Sequence, residues 1–142
     1  MNRREILLLS LATSLIGTGA ARAAALDTGI VYEPGMVDDL LAEGKTVFVD
    51  FSADWCGTCR TQARIINELK AENPAYEQNV VFVAVDWDKY SRESLADWLA
   101  IPRRSTLVVL KGEDELGRIV AGTARKDIKA LMDIALKAAT NS

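Results

Sequence analysis

The chain has no histidine, and only two cysteines and three prolines among its 142 residues. Without histidine, imidazole activation of a nucleophile and imidazole ligation of a metal are both excluded. Two cysteines cannot fill a four-ligand zinc site within one chain. Aromatic residues make up 6% of the sequence and the formal net charge is −3. A mildly acidic chain is a poor match for phosphate backbones, so no nucleic-acid partner is expected. There are no internal repeats or low-complexity tracts. The one apolar run near the start, from Ile6 to Ala20, is broken by Ser10, Thr13, Ser14, Gly17, Thr18 and Gly19. It is shorter than the roughly 20 residues a spanning helix needs.

That run reads instead as an export signal. Arg3 and Arg4 form a positive n-region, and Ala21-Arg22-Ala23 gives the A-x-A pattern of a signal-peptidase site. The expectation is a signal peptide over residues 1–23, cleaved after Ala23, and one domain over residues 24–142. The Asn2 to Leu7 start resembles a twin-arginine signal, which exports folded chains; a general secretory n-region with adjacent arginines is the other reading. Cleavage would leave 119 residues and, with three arginines and one glutamate gone, a charge of −5. A domain of that size builds a core without a disulfide staple.

What is present centres on Thr46 to Arg60, TVFVDFSADWCGTCR. Val47, Phe48, Val49 and Phe51 are β-branched or aromatic and predict a buried strand over Thr46 to Ser52, with one carboxylate inside it, Asp50. After Thr58 the apolar spacing shifts to Ala63, Ile65, Ile66 and Leu69, a helical period, predicting a helix from about Cys56 to Glu72 that ends at Asn73-Pro74. Before this unit, Gly29 to Tyr32 reads as an edge strand. Met36, Val37, Leu40 and Leu41 form an amphipathic helix stopped by Gly44. After it, Val80 to Val85 reads as a strand buried on both faces. A helix starting at Ser91 carries Leu95, Trp98 and Leu99 on its apolar face. Ser105 to Leu110 and Glu115 to Ala121 form a hairpin through Gly112, and a last helix covers about Arg125 to Ala139. Strands alternating with helices in this way predict an α/β layout, a mixed sheet with helices on both faces.

The cysteines therefore sit where a strand hands over to a helix. Unsatisfied N–H groups and the helix dipole favour a thiolate at the first one, so Cys56 is the expected nucleophile. Cys59, one turn on, projects from the same side and can resolve a mixed disulfide formed at Cys56. A bare C-x-x-C also fits a structural disulfide or half a zinc site. A bridge across one helical turn constrains little chain, however, and no further Cys or His ligands exist for zinc, so a redox pair is the favoured reading. Asp50, beneath the turn, is expected to have a raised pKa and to exchange a proton with Cys59; Asp54 is a more exposed competitor. Trp55 offers a flat apolar contact to a docking chain or simply packs. Gly57 lets a partner's backbone approach, and Thr58 is either a local hydrogen-bonding group or a plain helix-start residue.

The segment Asp50-Phe51-Ser52-Ala53-Asp54-Trp55-Cys56-Gly57-Thr58-Cys59 resembles the active-site segment of the thioredoxin family. It is especially similar to exported members and to the C-terminal domain of the transmembrane thiol reductase DsbD. The resemblance runs from about residue 30 to 139, through Thr106 to Leu110, Lys111-Gly112 and Val120-Ala121-Gly122. It implies a thioredoxin fold with a central mixed sheet of four to five strands, a nucleophilic Cys56, a resolving Cys59, and Asp50 as the family's buried acid. Two departures stand out. The family's cis-proline before the Thr-Leu strand is replaced by Ser105, and a trans Arg104–Ser105 bond is expected because a non-proline cis bond costs about 2.5–4 kcal/mol. The backbone there can still pair with an extended substrate. Arg103 and Arg104 either attract an acidic partner or the Cys56 thiolate, or are solvated loop charges. The strand Val80 to Val85 also lacks the lysine that many members place near the buried acid.

The expected function is that of a periplasmic, monomeric thiol-disulfide oxidoreductase acting on protein thiols and disulfides. It would act as a reductant, with a membrane thiol reductase as electron donor, no cofactor beyond the Cys56–Cys59 couple and no metal. The competing reading is a module that holds a soft metal or a cluster through Cys56 and Cys59 across a dimer, since the proline thought to block metal access is absent.

Overall fold

The computed structural model describes residues 26–141; the expected signal peptide and its cleavage site lie outside them. Five strands form one sheet in the order β1-β3-β2-β4-β5, where β1 is Ile30–Val31, β2 Thr46–Ser52, β3 Val81–Asp86, β4 Thr106–Lys111 and β5 Asp114–Val120. The first three strands run parallel and the last two join antiparallel, β4 against β2 and β5 against β4. The sheet is thus mixed, as expected, and has five strands.

Alternation along β2 divides the core. Val47, Val49 and Phe51 point to one face, where they pack with Val83, Val85, Val37 and Leu41. The last two come from α1 (Met36–Ala42), which stops before Gly44 at φ 80°. Phe48 points to the other face, against Ile65, Ile66 and Leu69 of α2 (Gly57–Glu72) and Ile128 and Met132 of α6 (Arg125–Thr140). With period two, Asp50 falls on this second face, under α2. Ile66 is fully buried there. Ile66→Val removes one methylene from a filled core and is expected to lower stability by about 0.5–1.5 kcal/mol, read from the urea midpoint at unchanged m-value.

Three expectations change in detail. The segment between α2 and β3 holds a further short helix, α3 (Ala75–Asn79), started at Pro74, whose fixed φ suits a helix N-terminus. A separate short helix, α4 (Trp87–Tyr90), comes first, and the helix expected from Ser91 starts at Ser94, as α5 (Ser94–Trp98). Its cap is Glu93, whose carboxylate accepts from the Leu95 N–H and from the Tyr32 hydroxyl. On so short a helix only one side meets the sheet: Leu95, Ala96 and Leu99 are buried, while Trp98 is 53% exposed rather than part of the apolar face.

The antiparallel pairing of β4 with β2 ends at Phe51 opposite Thr106. The residues just before β4 are therefore delivered to the end of β2, beside the cysteine turn.

Candidate active site

Cys56 is the N-cap of α2, with extended backbone, and its sulfur accepts the Cys59 N–H at 3.2 Å. The thiol thus occupies the position at which a capping side chain satisfies an orphan N–H of the first turn. Both cysteines are free thiols and buried, Cys56 retaining 4% exposure and Cys59 none. Ala53 and Leu26 pack against them.

Ser105 faces the pair. Its hydroxyl lies 3.2 Å from the Cys56 sulfur and 3.0 Å from the Cys59 sulfur, and the residue is fully buried. No peptide bond among the described residues is cis, so Arg104–Ser105 is trans, as expected. Ser105 instead takes a left-handed backbone, φ 62°. It is held there from both ends. Its N–H donates to the Phe51 carbonyl at 2.8 Å, and its carbonyl accepts the Ala121 N–H at 2.8 Å and the Gln62 side-chain amide at 3.1 Å. Gln62, also fully buried, donates as well to the Gly122 carbonyl at 2.9 Å, tying α2 to the loops that flank β4 and β5.

Burial acts to raise the Cys56 thiol. Hydrogen bonds from Cys59, the Ser105 hydroxyl and the Cys59 N–H, together with the Arg104 guanidinium, outweigh it and bring the pKa down to about 7. Cys59 is raised, by burial first and then by its bond to Cys56. The two sulfurs are thus unequal: one is poised as a thiolate near neutral pH and the other is kept protonated.

Arg104 also stacks over the Trp55 ring, 4.4 Å from its centroid, while the Trp55 indole N–H donates to Asp88 at 2.7 Å. Trp55 is 54% exposed. Fixed on one face and at its edge, it forms a rigid shelf beside the pair. A Cβ on Gly57 would meet only the tip of Arg60, at 3.8 Å. Glycine is therefore not required there by this chain's own packing. Thr58 lies half-buried in the first turn of α2, and Asp54 is half-buried, its carbonyl accepting from Arg60 at 2.9 Å.

Asp50 is buried, and burial raises its pKa to about 7 against the opposing effects of Thr28 and Lys70. One carboxylate oxygen accepts the Thr28 hydroxyl at 2.8 Å; the other is buried with no partner. The lysine that β3 lacks is supplied from α2, as Lys70. Sequence reasoning missed four contributors: Leu26, Thr28, Gln62 and Lys70. The segment from Leu26 to Thr28 lies along α2, pinned by Asn67 on the Asp27 carbonyl at 2.9 Å, by Lys70 on the Thr28 carbonyl, and by the Leu26 N–H on Ser52 at 3.4 Å. Of these residues, Gln62 alone left a signal, a polar residue among Cys59, Ala63 and Ile66 on the inward face of the helix. Among the described residues no three Cys, Asp or Glu side chains converge as metal ligands.

Comparison with known proteins agrees with this geometry. The thioredoxin family model matches residues 33–134. The mitochondrial thioredoxin-2 of Schizosaccharomyces pombe is 32% identical over 97 residues, covering 68% of this chain and 65% of that protein. Among solved structures, a thioredoxin of Schistosoma mansoni is 30% identical with a TM-score of 0.59, covering 73% of this chain and 94% of that one. Trxlp of Edwardsiella tarda is 26% identical with a TM-score of 0.60, covering 72% and 98%. The matched stretches span 59% to 66% of the length of the first curated relatives. A family match through most of the sheet, both long helices and the cysteine turn leaves one conclusion: the chain belongs to the thioredoxin family.

Proposed function

We propose that the protein is an exported thiol-disulfide oxidoreductase that reduces protein disulfides in the periplasm. In this reading it works as a monomer and is recharged by a membrane thiol reductase. The inequality of the two thiols carries the reading: Cys56, lowered to about 7, attacks, and Cys59, held protonated, resolves. Asp50, with a near-neutral pKa and one unpartnered oxygen, is the group that takes the Cys59 proton. The Trp55 shelf with Arg104 stacked on it, the open space at Gly57, and Thr58 form the surface on which an extended substrate lies; the Ser105 backbone, expected to pair with such a substrate, is instead occupied by Phe51, Ala121 and Gln62. The similarity of the active-site segment to the C-terminal domain of DsbD, and the signal-like start with Arg3 and Arg4, support export and a membrane electron donor.

The metal-binding alternative gains no specific observation. Two sulfurs and one hydroxyl on a chain do not complete a soft-metal site, and the space between them is already bridged by Ser105. The test is the reduction potential of the Cys56/Cys59 couple, with metal content measured on the same periplasm-derived sample. A metal-free protein with a potential nearer the roughly −270 mV of thioredoxin than the roughly −120 mV of the oxidant DsbA supports a reductant. Stoichiometric metal, or a potential at the oxidising end, overturns it.

A further inference from the structure

Ser105 is placed at a conformational cost. A residue with a Cβ at φ 62° is disfavoured where glycine would sit freely, and such strain gathers at functional positions. Two main-chain hydrogen bonds and a third from the Gln62 side-chain amide hold it in that conformation. The result is a single buried hydroxyl within hydrogen-bonding distance of both sulfurs. The other donors at the site serve one sulfur: the Cys59 N–H is fixed on Cys56, and the Arg104 guanidinium lowers Cys56 alone. A hydroxyl is different, since its proton rotates about the C–O bond and can point at either neighbour.

We propose that Ser105 is a catalytic residue whose hydroxyl donates to the Cys56 thiolate before attack and turns to the Cys59 sulfur during resolution, thereby also setting the reduction potential of the pair. The proposal deepens, and rests on, the thiol-disulfide reading above. In the first step the Cys56 sulfur bonds one sulfur of the substrate disulfide, the substrate S–S bond breaks, and the departing substrate thiolate takes a proton from water. The Cys56 sulfur then no longer carries charge, and the hydroxyl proton is free to turn. In the second step the Cys59 proton passes to Asp50, which later returns it to water. The Cys59 sulfur, steadied by Ser105, bonds the Cys56 sulfur. The bond from Cys56 to substrate breaks, and the second substrate thiolate leaves with the electron pair and takes a proton from water. Two protein sulfurs end as a disulfide and the substrate ends as two thiols; Ser105 keeps its own proton throughout.

A neutral disulfide is a weaker acceptor than a thiolate, so this hydroxyl favours the reduced form and raises the potential. Ser105→Gly removes the hydroxyl while easing the backbone, and Ser105→Ala removes it at the existing strain. Both variants are expected to shift the dithiol–disulfide equilibrium against glutathione about tenfold toward the disulfide, roughly 30 mV for two electrons. Both are also expected to raise the Cys56 ionisation midpoint followed by thiolate absorbance. With oxidised glutathione as the probe, resolution of the mixed disulfide slows about tenfold in rapid-quench experiments. A folded Ser105→Gly with unchanged potential and unchanged resolution rate overturns the proposal. In the unaltered protein, the Ser105 Cβ resonance should move with the Cys56 ionisation and again on oxidation; a resonance flat through both overturns it independently of any variant. None of these readouts depends on compartment or partner, so failure to reduce periplasmic proteins would refute the physiological reading and leave this one standing.

Discussion

Cys56→Ser is expected to abolish reduction of insulin disulfides, a loss of at least roughly a thousandfold, because a serine hydroxyl is not ionised near neutral pH and cannot replace a thiolate. The Cys59 N–H at the helix start, the Ser105 hydroxyl and the Arg104 guanidinium all favour the thiolate at Cys56. Cys59→Ser behaves differently. The attack at Cys56 survives, but no second sulfur exists to release the product, so mixed disulfides with protein substrates are expected to accumulate and to be seen as shifted bands that collapse on adding reductant. If Cys59→Ser captured nothing while the wild type stayed active, the roles assigned to the two sulfurs would be wrong.

Asp50→Asn is expected to stabilise the fold at alkaline pH. The unfolded carboxyl titrates near 3.9, and in the folded protein burial raises it to about 7. The folded state therefore holds its proton more tightly, and unfolding releases a proton between about pH 4 and pH 7. Stability falls as pH rises through that window and levels off above it, by an amount on the order of 4 kcal/mol if the whole shift is expressed. An asparagine keeps an acceptor for the Thr28 hydroxyl and carries no charge. The variant should match the wild type near pH 4 and exceed it by about 2–4 kcal/mol at pH 8 in urea unfolding. Equal stabilities of the two proteins at pH 8 would show that the buried carboxylate is not a burden there.

The parts legible in the sequence are those in which one local pattern decides the outcome. The apolar run of β2, the change of period after Thr58 and the Gly44 stop each point to one structure, and β2, α2 and α1 are found accordingly. The placing of the two cysteines was legible for the same reason, since they open the helix that follows a strand end. The split between α4 and α5 and the exposure of Trp98 were not, because a five-residue helix has too few positions for a periodicity to establish its inward side. The substitution at Ser105 was visible as a missing proline, but not its left-handed backbone or its hydroxyl between two sulfurs. Those depend on Phe51, Gln62 and Ala121, which come from three separate parts of the chain. Thr28 was illegible altogether: it lies in an aperiodic lead-in, and its partner is 22 positions away.

That lead-in redraws the border of the working unit. The family model begins at residue 33, yet Leu26 leans on the cysteines and Thr28 holds the Asp50 carboxylate. A domain boundary placed at β1 would therefore remove part of the catalytic centre and leave the shared family scaffold intact. The hydroxyl that holds this acid would be discarded as a tail.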